Sequence, residues 1–598
     1  MSGFAAVLPA HGSPRDPCLI AAMRRSLQLR SPEGNAVWED DAISLLHAGV
    51  AAGGRASISL CELDGRVVVF DGRLDGREDL ARELRSRGRE AVASSDNAEL
   101  IAHAFAVWET SAPEHLIGDF SFLVWDRRTR ELTCVRDRFG VRPMYHALSG
   151  ATLLVSNDLT TLLAVDGLSG RLNESAIADF LLFSGNQDLS TTTFASIHRV
   201  PPAHSMIVSR SAEIRFERYW SLPVDNTPRR VSAADTVEEF WSLFQTAVKD
   251  RVHGQAVVIS LSGGLDSTSV AAATVSADAS GIHAVTAGYE RMFVDGERKF
   301  AQQAAASLGI PWEFLASDDY PLFERWSDPR CRGLEPTDTP MRAAFIDLMA
   351  RLAVHGRVLL TGQGGDSVLY TSHGYFVDLL RRGRLLRAAM EAAFYALTRR
   401  RLPPLLLRSH ALRGLRLRSD QPPFPTWIRE DFARAQDLRA RWASFWAWRR
   451  PSLHPRRPEA ALFTLQPMWP NAFESYDFAW TGSHLELTVP FLDTRLVEFL
   501  FTLPPMPHFA DKDILRQAMK GRLPEKVRTR AKAPLAADPV QLLFRQADPQ
   551  RWEGRLESIE AYADPRILQS VVEKIIRTGH PLKQEIAALC LVEWLTFR

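Results

Sequence analysis

Cysteine is scarce in this chain. The five residues Cys18, Cys61, Cys134, Cys331 and Cys590 are scattered, odd in number and never spaced as CxxC. That pattern argues against a zinc site or a disulfide frame, and for reduced thiols in a cytoplasm. Long apolar runs are missing as well. No stretch approaches the roughly eighteen residues of a membrane-spanning helix, so no membrane partner is expected. The opening residues Met1-Ser2-Gly3-Phe4-Ala5-Ala6-Val7 lack a basic start followed by a long apolar stretch, and no signal peptide is expected. Net charge is nearly absent, +1 over 598 residues, so global charge selects no partner. Apolar side chains, by contrast, make up 46% of the chain, enough to fill the cores of roughly two to four domains.

The most informative stretch is Ile259-Ser260-Leu261-Ser262-Gly263-Gly264-Leu265-Asp266-Ser267-Thr268. The run Ala256-Val257-Val258-Ile259 reads as a buried strand, and Thr268-Ser269-Val270-Ala271-Ala272-Ala273 as the start of a helix. Small residues between them let backbone N–H groups close on an anion at the helix N-terminus. The hydroxyls of Ser262, Ser267 and Thr268 add donors, and Asp266 adds a carboxylate suited to Mg²⁺. Ser260, Ser262, Gly263, Gly264, Leu265, Asp266 and Ser267 are therefore the expected nucleotide-binding residues. The lysine of the GxxxxGK[ST] loop is absent. The string resembles instead the SGGxDS pyrophosphate loop of enzymes that split ATP into AMP and pyrophosphate.

A second segment, Leu359-Leu360-Thr361-Gly362-Gln363-Gly364-Gly365-Asp366, has the same plan: a buried strand, glycines, then a carboxylate. Two such ends side by side in one parallel sheet would place Asp266 and Asp366 at one edge. A Mg²⁺ ion takes one or two carboxylates along with phosphate oxygens and water, so ATP and Mg²⁺ are the expected cofactors. Gly362 and Gly364 join the binding residues.

The first two hundred residues read as strand-rich. Arg66-Val67-Val68-Val69-Phe70 and Phe120-Ser121-Phe122-Leu123-Val124-Trp125 are β-type runs, the first closed by a turn at Asp71-Gly72, and helices are expected over 79–86 and 97–110. This predicts an α+β domain of layered sheets over 1–215. A polar, proline-bracketed linker is expected over 216–231, with a second domain over 232–598. There, strands over 283–287, 312–315 and 357–360 alternate with helices over 297–308 and 341–355. That alternation predicts a doubly wound parallel sheet whose ligands lie beyond its C-terminal strand ends, followed by a helical part after Gly374. Between Arg381 and Arg450 stand seventeen Arg and no Lys against five Asp/Glu, threaded with Phe394, Tyr395, Trp427, Phe432, Trp442, Phe445, Trp446 and Trp448. Such a stretch suits an acidic peptide, a nucleic acid or a phosphate-bearing substrate; arginine-rich helices with packed stems give the same composition.

With these residues in view, the chain resembles the class B asparagine synthetase family along nearly its whole length. The first half carries Gly118-Asp119-Phe120-Ser121-Phe122 and Arg136-Asp137-Arg138-Phe139-Gly140-Val141-Arg142-Pro143-Met144-Tyr145. The second carries the two loops, Pro490-Phe491-Leu492-Asp493, Lys512-Asp513-Ile514-Leu515-Arg516, Leu523-Pro524 and Arg530-Ala531-Lys532. The resemblance implies an N-terminal-nucleophile, glutaminase-like domain followed by an ATP-pyrophosphatase domain. In the second, a carboxylate takes AMP from ATP and an amine displaces it. It also implies charge stabilisation by Lys532. Lys532 and, more so, Arg530 are open to a plain surface role, Lys512 is open to a helix-capping role, and His484 beside Glu486 reads as packed or exposed rather than as a base.

The departures from the family narrow the substrate. Position 2 is Ser2 where the family's glutaminase uses cysteine, and its asparagine-glycine-glutamate string reads Asp71-Gly72-Arg73, although Arg55 and Asp96 remain. A hydroxyl is a poorer nucleophile than a thiol, so the first domain is expected to be inactive as a glutaminase. Gln363 stands where the family has Glu and β-lactam synthetase relatives have Tyr; it binds without exchanging a proton at neutral pH. Thr488 replaces the arginine found two residues before the PFLD string. These changes argue against ammonia and aspartate as substrates, and Gln363 is expected to line the site.

The resemblance then points to the lasso peptide cyclase branch. Those enzymes adenylate an Asp or Glu side chain of a precursor peptide and close an isopeptide macrolactam on the peptide's own N-terminal amine. The partners this implies are the precursor peptide, a leader-recognising protein and a leader peptidase, with no nucleic acid. A β-lactam-synthetase-like ligase of small molecules and an ammonia-using amidotransferase are the alternatives.

Overall fold

The computed structural model describes all residues except 1, 11–13, 32–33, 50, 53–54, 57–58, 225–231, 253, 278, 280, 295, 371–375, 377–378, 381–382, 400–421, 447–453 and 532–534. In the first domain, alternating apolar residues build two six-stranded antiparallel sheets. One runs in the order Ile197–Arg199, Tyr145–Ser149, Thr152–Ser156, Gly3–Pro9, Ser44–Gly49, Gly34–Glu39. The other runs Ile214–Arg218, His204–Val208, Glu131–Arg136, Ile117–Asp126, Arg66–Asp75, Leu60–Leu63. Their facing sides share a core of Phe4, Leu45, Val67, Val69, Leu123, Trp125, Met206 and neighbours. The opposite face of the second sheet is covered by the helices Arg77–Ser86 and Asn97–Trp108 through Leu84, Leu100, Ile101 and Phe105. Helices Pro17–Arg30 and Glu174–Phe183 pack outside the first sheet, in a cluster that also takes in Trp552, Leu589 and Val592 of the second domain. The result is the expected layered α+β domain.

Two boundaries differ from expectation. The strand expected to stop at a turn over Asp71-Gly72 runs on to Asp75, paired with Ile117–Asp126 throughout. Gly72 makes this possible at a φ of 119°, since a Cβ there would overlap the Asp119 carbonyl oxygen. The strand Ile214–Arg218 pairs with His204–Val208, so the sheet crosses the boundary expected at 215. Most of the rest of the expected linker lies outside the described residues.

The second domain opens with helix Ala233–Val252 and forms a five-stranded parallel sheet. Its order is Trp312–Ala316, Ile282–Gly288, Val257–Ser260, Val358–Leu360, Glu486–Thr488. The helices Leu265–Ser276, Glu297–Leu308 and Arg342–His355 alternate with the first strands, as the sequence predicts. The last strand carries too short an apolar run to be read from sequence, and it sets the site: Ile259 pairs with Leu360, and Leu360 with Thr488. Three strand ends therefore open on one edge.

The domains are joined by buried charge. Arg251, at the end of helix Ala233–Val252, lies 3.1 Å from Asp75, 3.8 Å from Asp119 and 2.8 Å from Asp493. Arg73 meets Asp75 at 2.6 Å, Asp119 at 2.7 Å and Glu486 at 3.6 Å. Burial would raise the Asp493 carboxyl, but Arg251 and Arg495 hold it well below the usual range. Removing one partner from such a pair strands a buried charge. Arg251→Met is expected to cost about 3–5 kcal/mol of stability, measured by denaturant unfolding. An unchanged midpoint would refute this account of the interface.

Candidate active site

At the edge where the strands end, helix Leu265–Ser276 begins with Gly264 as its cap and offers its first N–H groups outward. The loop before it is held by its own hydroxyls. Ser267 Oγ lies 2.8 Å from Ser262 Oγ and donates to the Ser262 carbonyl at 2.9 Å. The Thr268 hydroxyl turns back to the Gly264 carbonyl at 2.9 Å, so it braces the helix rather than facing a ligand. Ser260 closes the strand, and Leu265 supplies a buried side chain and the first helical N–H. Gly263 N donates to Glu297 at 2.8 Å, and a Cβ on Gly263 would fall 2.9 Å from Phe300.

The second loop is pressed against the first. A Cβ on Gly362 would fall 2.7 Å from Ser267 N, and one on Gly365 would fall 2.8 Å from Asp266 Cγ. Gly364 adopts a φ of 83° with Leu492 of the PFLD string 2.8 Å from its missing Cβ. This packing brings Asp266 and Asp366 together as the sequence predicts. Lys512 Nζ lies 2.6 Å from a carboxylate oxygen of each. Two carboxylates converging on one cation-sized point, beside an anion-binding helix end, suit the donor set of a divalent ion with phosphate.

Lys512 is the main residue that sequence reading undervalued. Its backbone does cap helix Asp513–Ala518, but its ammonium reaches across to both acids. Asp511 and Lys512 both take left-handed conformations, at φ of 53° and 55°, a costly arrangement for two successive non-glycine residues. The KDILR string was visible; its reach across the fold was not. Arg530 is settled in the same way. Instead of lying free on the surface it donates to the Gly263 carbonyl at 2.7 Å and pairs with Glu297 at 2.9 Å, so it buttresses the phosphate loop. Lys532 lies outside the described residues.

Gln363 emerges beside the loop and donates through Nε2 to the Tyr476 hydroxyl at 2.8 Å. Burial pushes the Tyr476 phenol up to about 12, so it stays protonated at neutral pH. Thr488 donates to the Leu359 carbonyl at 3.1 Å, spending its hydroxyl inside the sheet. His484 stacks on Phe478 with centroids 4.4 Å apart, in keeping with a packed role.

In the first domain, the Ser2 hydroxyl donates to buried Asp71, and Asn157 donates to the same carboxylate at 3.0 Å. Burial would raise the Asp71 carboxyl, but Arg142, Arg30 and the Ser2 hydroxyl hold it below its ordinary range. A charged Asp71 and an ion-paired Arg73 thus stand where the resemblance has asparagine and glutamate. Asp96 caps helix Asn97–Trp108 through Ala98 N; the Arg55 side chain is outside the description. Of the described aromatics in the arginine-rich stretch, Tyr395, Trp427, Phe432 and Trp442 are core residues, which favours packed arginine-rich helices there. One further cluster, His283, Glu313 and His355, brings ligand atoms within 4.8 Å of one another. Its imidazoles stack in parallel at 3.6 Å, so an ion in the plane of one lies out of the plane of the other, and Arg351 already pairs with Glu313.

Two facing antiparallel sheets joined to a parallel sheet with this loop define an ATP-dependent carbon–nitrogen ligase carrying a glutamine-amidotransferase-type domain. The asparagine synthase family model matches residues 239–595, and the glutamine amidotransferase domain model matches residues 1–220. The chain belongs to the asparagine synthase family, whose members use ATP. It is 27% identical over 548 residues to asparagine synthetase [glutamine-hydrolyzing] 3 of Bacillus subtilis, covering 86% of this chain and 83% of that one. It is 24% identical over 581 residues to amidase chyE of Penicillium rubens, covering 86% and 84%. A B. subtilis glutamine phosphoribosylpyrophosphate amidotransferase structure overlaps 61% of this chain and 77% of that one at 15% identity, with a TM-score of 0.27, too slight to carry a structural argument. No helix among the described residues is long and apolar enough to cross a membrane.

The two loops touch through Gly362, so a methyl group there must part them. Gly362→Ala is expected to raise the KM for ATP about tenfold or more while the fold survives, read by steady-state kinetics and thermal melting. An unchanged KM would show that the loops need not touch.

Proposed function

We propose that this chain is an ATP-dependent lasso peptide cyclase. Its substrate is a precursor peptide bearing an Asp or Glu side chain some residues beyond its N-terminus. The observation that carries the reading is the acceptor side of the site: a neutral Gln363 carboxamide set on Tyr476, with Thr488 turned into the sheet. Gln363 and Thr488 themselves supply neither a base for ammonium nor a cation for an aspartate α-carboxylate, but the carboxamide can orient an amine by hydrogen bonding. Ser2 on Asp71 and the ion-paired Arg73 support a first domain that releases no ammonia.

In this scheme an oxygen of the side-chain carboxylate attacks the α-phosphorus of ATP. The bond to the β-phosphate breaks, and pyrophosphate leaves into the donors at Ser262–Ser267. The peptide's N-terminal nitrogen then attacks the acyl carbon, the bond to AMP breaks, and the amine proton passes to water. Asp266 and Asp366 would hold Mg²⁺, which neutralises phosphate charge when bound. Lys512 and Arg530 neutralise and brace the loop; Lys532 takes charge stabilisation from the family pattern. A leader-recognising protein and a leader peptidase would supply the trimmed peptide.

The test is mass spectrometry of the protein with Mg·ATP and a core peptide, with nucleotides quantified. AMP and a peptide lighter by one water are expected, both falling about a hundredfold or more in Asp266→Ala and Asp366→Ala. AMP formed only with small β-amino acids would move the chain to the β-lactam branch. Glutamate appearing from glutamine would make it an amidotransferase, and no AMP with any carboxylate would end the proposal.

A further inference from the structure

Three arginines of the first domain close on three carboxylates of the second, Asp477, Glu474 and Glu335. Arg30 is bidentate to Asp477, at 2.5 and 2.7 Å, and its Nε donates to the Ser2 carbonyl at 2.9 Å. Arg136 donates to Glu474 at 3.0 Å, and Arg199 donates to both oxygens of the same carboxylate, at 3.0 and 2.8 Å. All five charged side chains are buried. Arg199 also pairs with Glu335, and Arg136 donates to the carbonyls of Arg142 and Val200 at 2.8 and 3.0 Å. Asp477 in turn caps helix Phe478–Thr481. The segment from Glu474 to Asp477 is therefore fixed at both ends by groups that cannot leave without stranding a buried charge.

Tyr476 lies inside that grip. Its ring sits edge-on to Phe345, with centroids 5.0 Å apart, and its hydroxyl receives the Gln363 N–H. With Nε2 so engaged, the Gln363 carbonyl oxygen is buried and has no hydrogen-bond partner among the described residues. A buried acceptor left open beside an ATP loop marks a place that a ligand donor completes. The neighbouring contact of Gly362 with Ser267 sets the residue before Gln363 directly against the first glycine loop.

We propose that the first domain serves the synthetase site as a positioning scaffold: Arg30, Arg136 and Arg199 fix Glu474 and Asp477, these fix Tyr476, and Tyr476 holds Gln363 with its carbonyl oxygen turned to an N–H of the attacking amine. The inference rests on the amide-ligase reading above. It assigns Tyr476 and the arginines as positioning residues for amine capture, the step in which the new C–N bond forms and the acyl–AMP bond breaks. Adenylation precedes that step and does not need them. Weakened capture leaves acyl-adenylate to water, so AMP is released without amide.

The experiment measures two quantities on the full chain: carboxylate-dependent ATP–pyrophosphate exchange, and amide formed per AMP released. In Tyr476→Phe and Gln363→Met the amide yield per AMP is expected to fall about tenfold, the rate equivalent of one hydrogen bond, and exchange to fall much less. Glu474→Gln and Asp477→Asn are expected to lower the same ratio with Gln363 and Tyr476 intact. Gln363→Glu keeps an acceptor and adds a base, so it should restore the ratio towards the native value and move the pH optimum of capture. Parallel loss of exchange and amide, or an unchanged ratio in all variants, would overturn the proposal. Absence of exchange in the unmodified protein would instead overturn the ligase reading itself. Thermal melting identifies a variant that merely fails to fold, and Tyr476→Phe, which removes one oxygen, remains decisive if the carboxylate variants do.

Discussion

Arg251 is the point on which the two domains depend. It leaves the first helix of the synthetase domain, stands between Asp75 and Asp119 of the other domain, and reaches Asp493 at the end of the PFLD string. Asp493 caps helix Thr494–Thr502, while Leu492 beside it packs where Gly364 has no side chain. One guanidinium thus ties the sheet of the first domain to the turn that supports the second nucleotide loop. Buried ion pairs give little net stability against well-packed apolar groups, but they are unforgiving of displacement. Such a contact fixes geometry more than it adds stability, which is what a site assembled from two loops and a third strand requires.

The nucleotide edge obeys the same electrostatic logic. Asp266 and Asp366 would repel one another at the separation the loops impose; the Lys512 ammonium between them removes that cost. A divalent ion arriving with phosphate would compete for the same oxygens, and the freed ammonium could then turn to the phosphates. The left-handed pair Asp511 and Lys512 holds the lysine at the required reach. Backbone strain at this point is repaid by the placement of a charge.

Local patterns were legible in the sequence. The phosphate loop, the second glycine loop, the convergence of Asp266 and Asp366, and the helices over 297–308 and 342–355 each follow from strand, turn and helix signals within a dozen or so residues. Asp71-Gly72 misled for a physical reason: the pair has turn chemistry, yet the glycine serves close strand approach inside a ladder. Lys512, Arg530 and the arginine grip on Glu474 and Asp477 were not legible. Their partners lie hundreds of residues away, and an arginine bound for a buried carboxylate has the same local signature as one bound for water.

That invisibility bears on what the first domain, which has Ser2 at its second position, does for the second. If the first half were an idle remnant, its contacts with the second should be ordinary surface, wet and replaceable. Instead Arg30 joins the carbonyl of Ser2 to Asp477, Arg142 meets Glu486 at 2.6 Å, and Arg73 reaches Glu486 from the substituted string. Ion pairs surround Asp71-Gly72-Arg73 and continue into the strand that ends at Thr488. Arg73, bound to Asp75, Asp119 and Glu486, is thus a working part of the interface between the two domains.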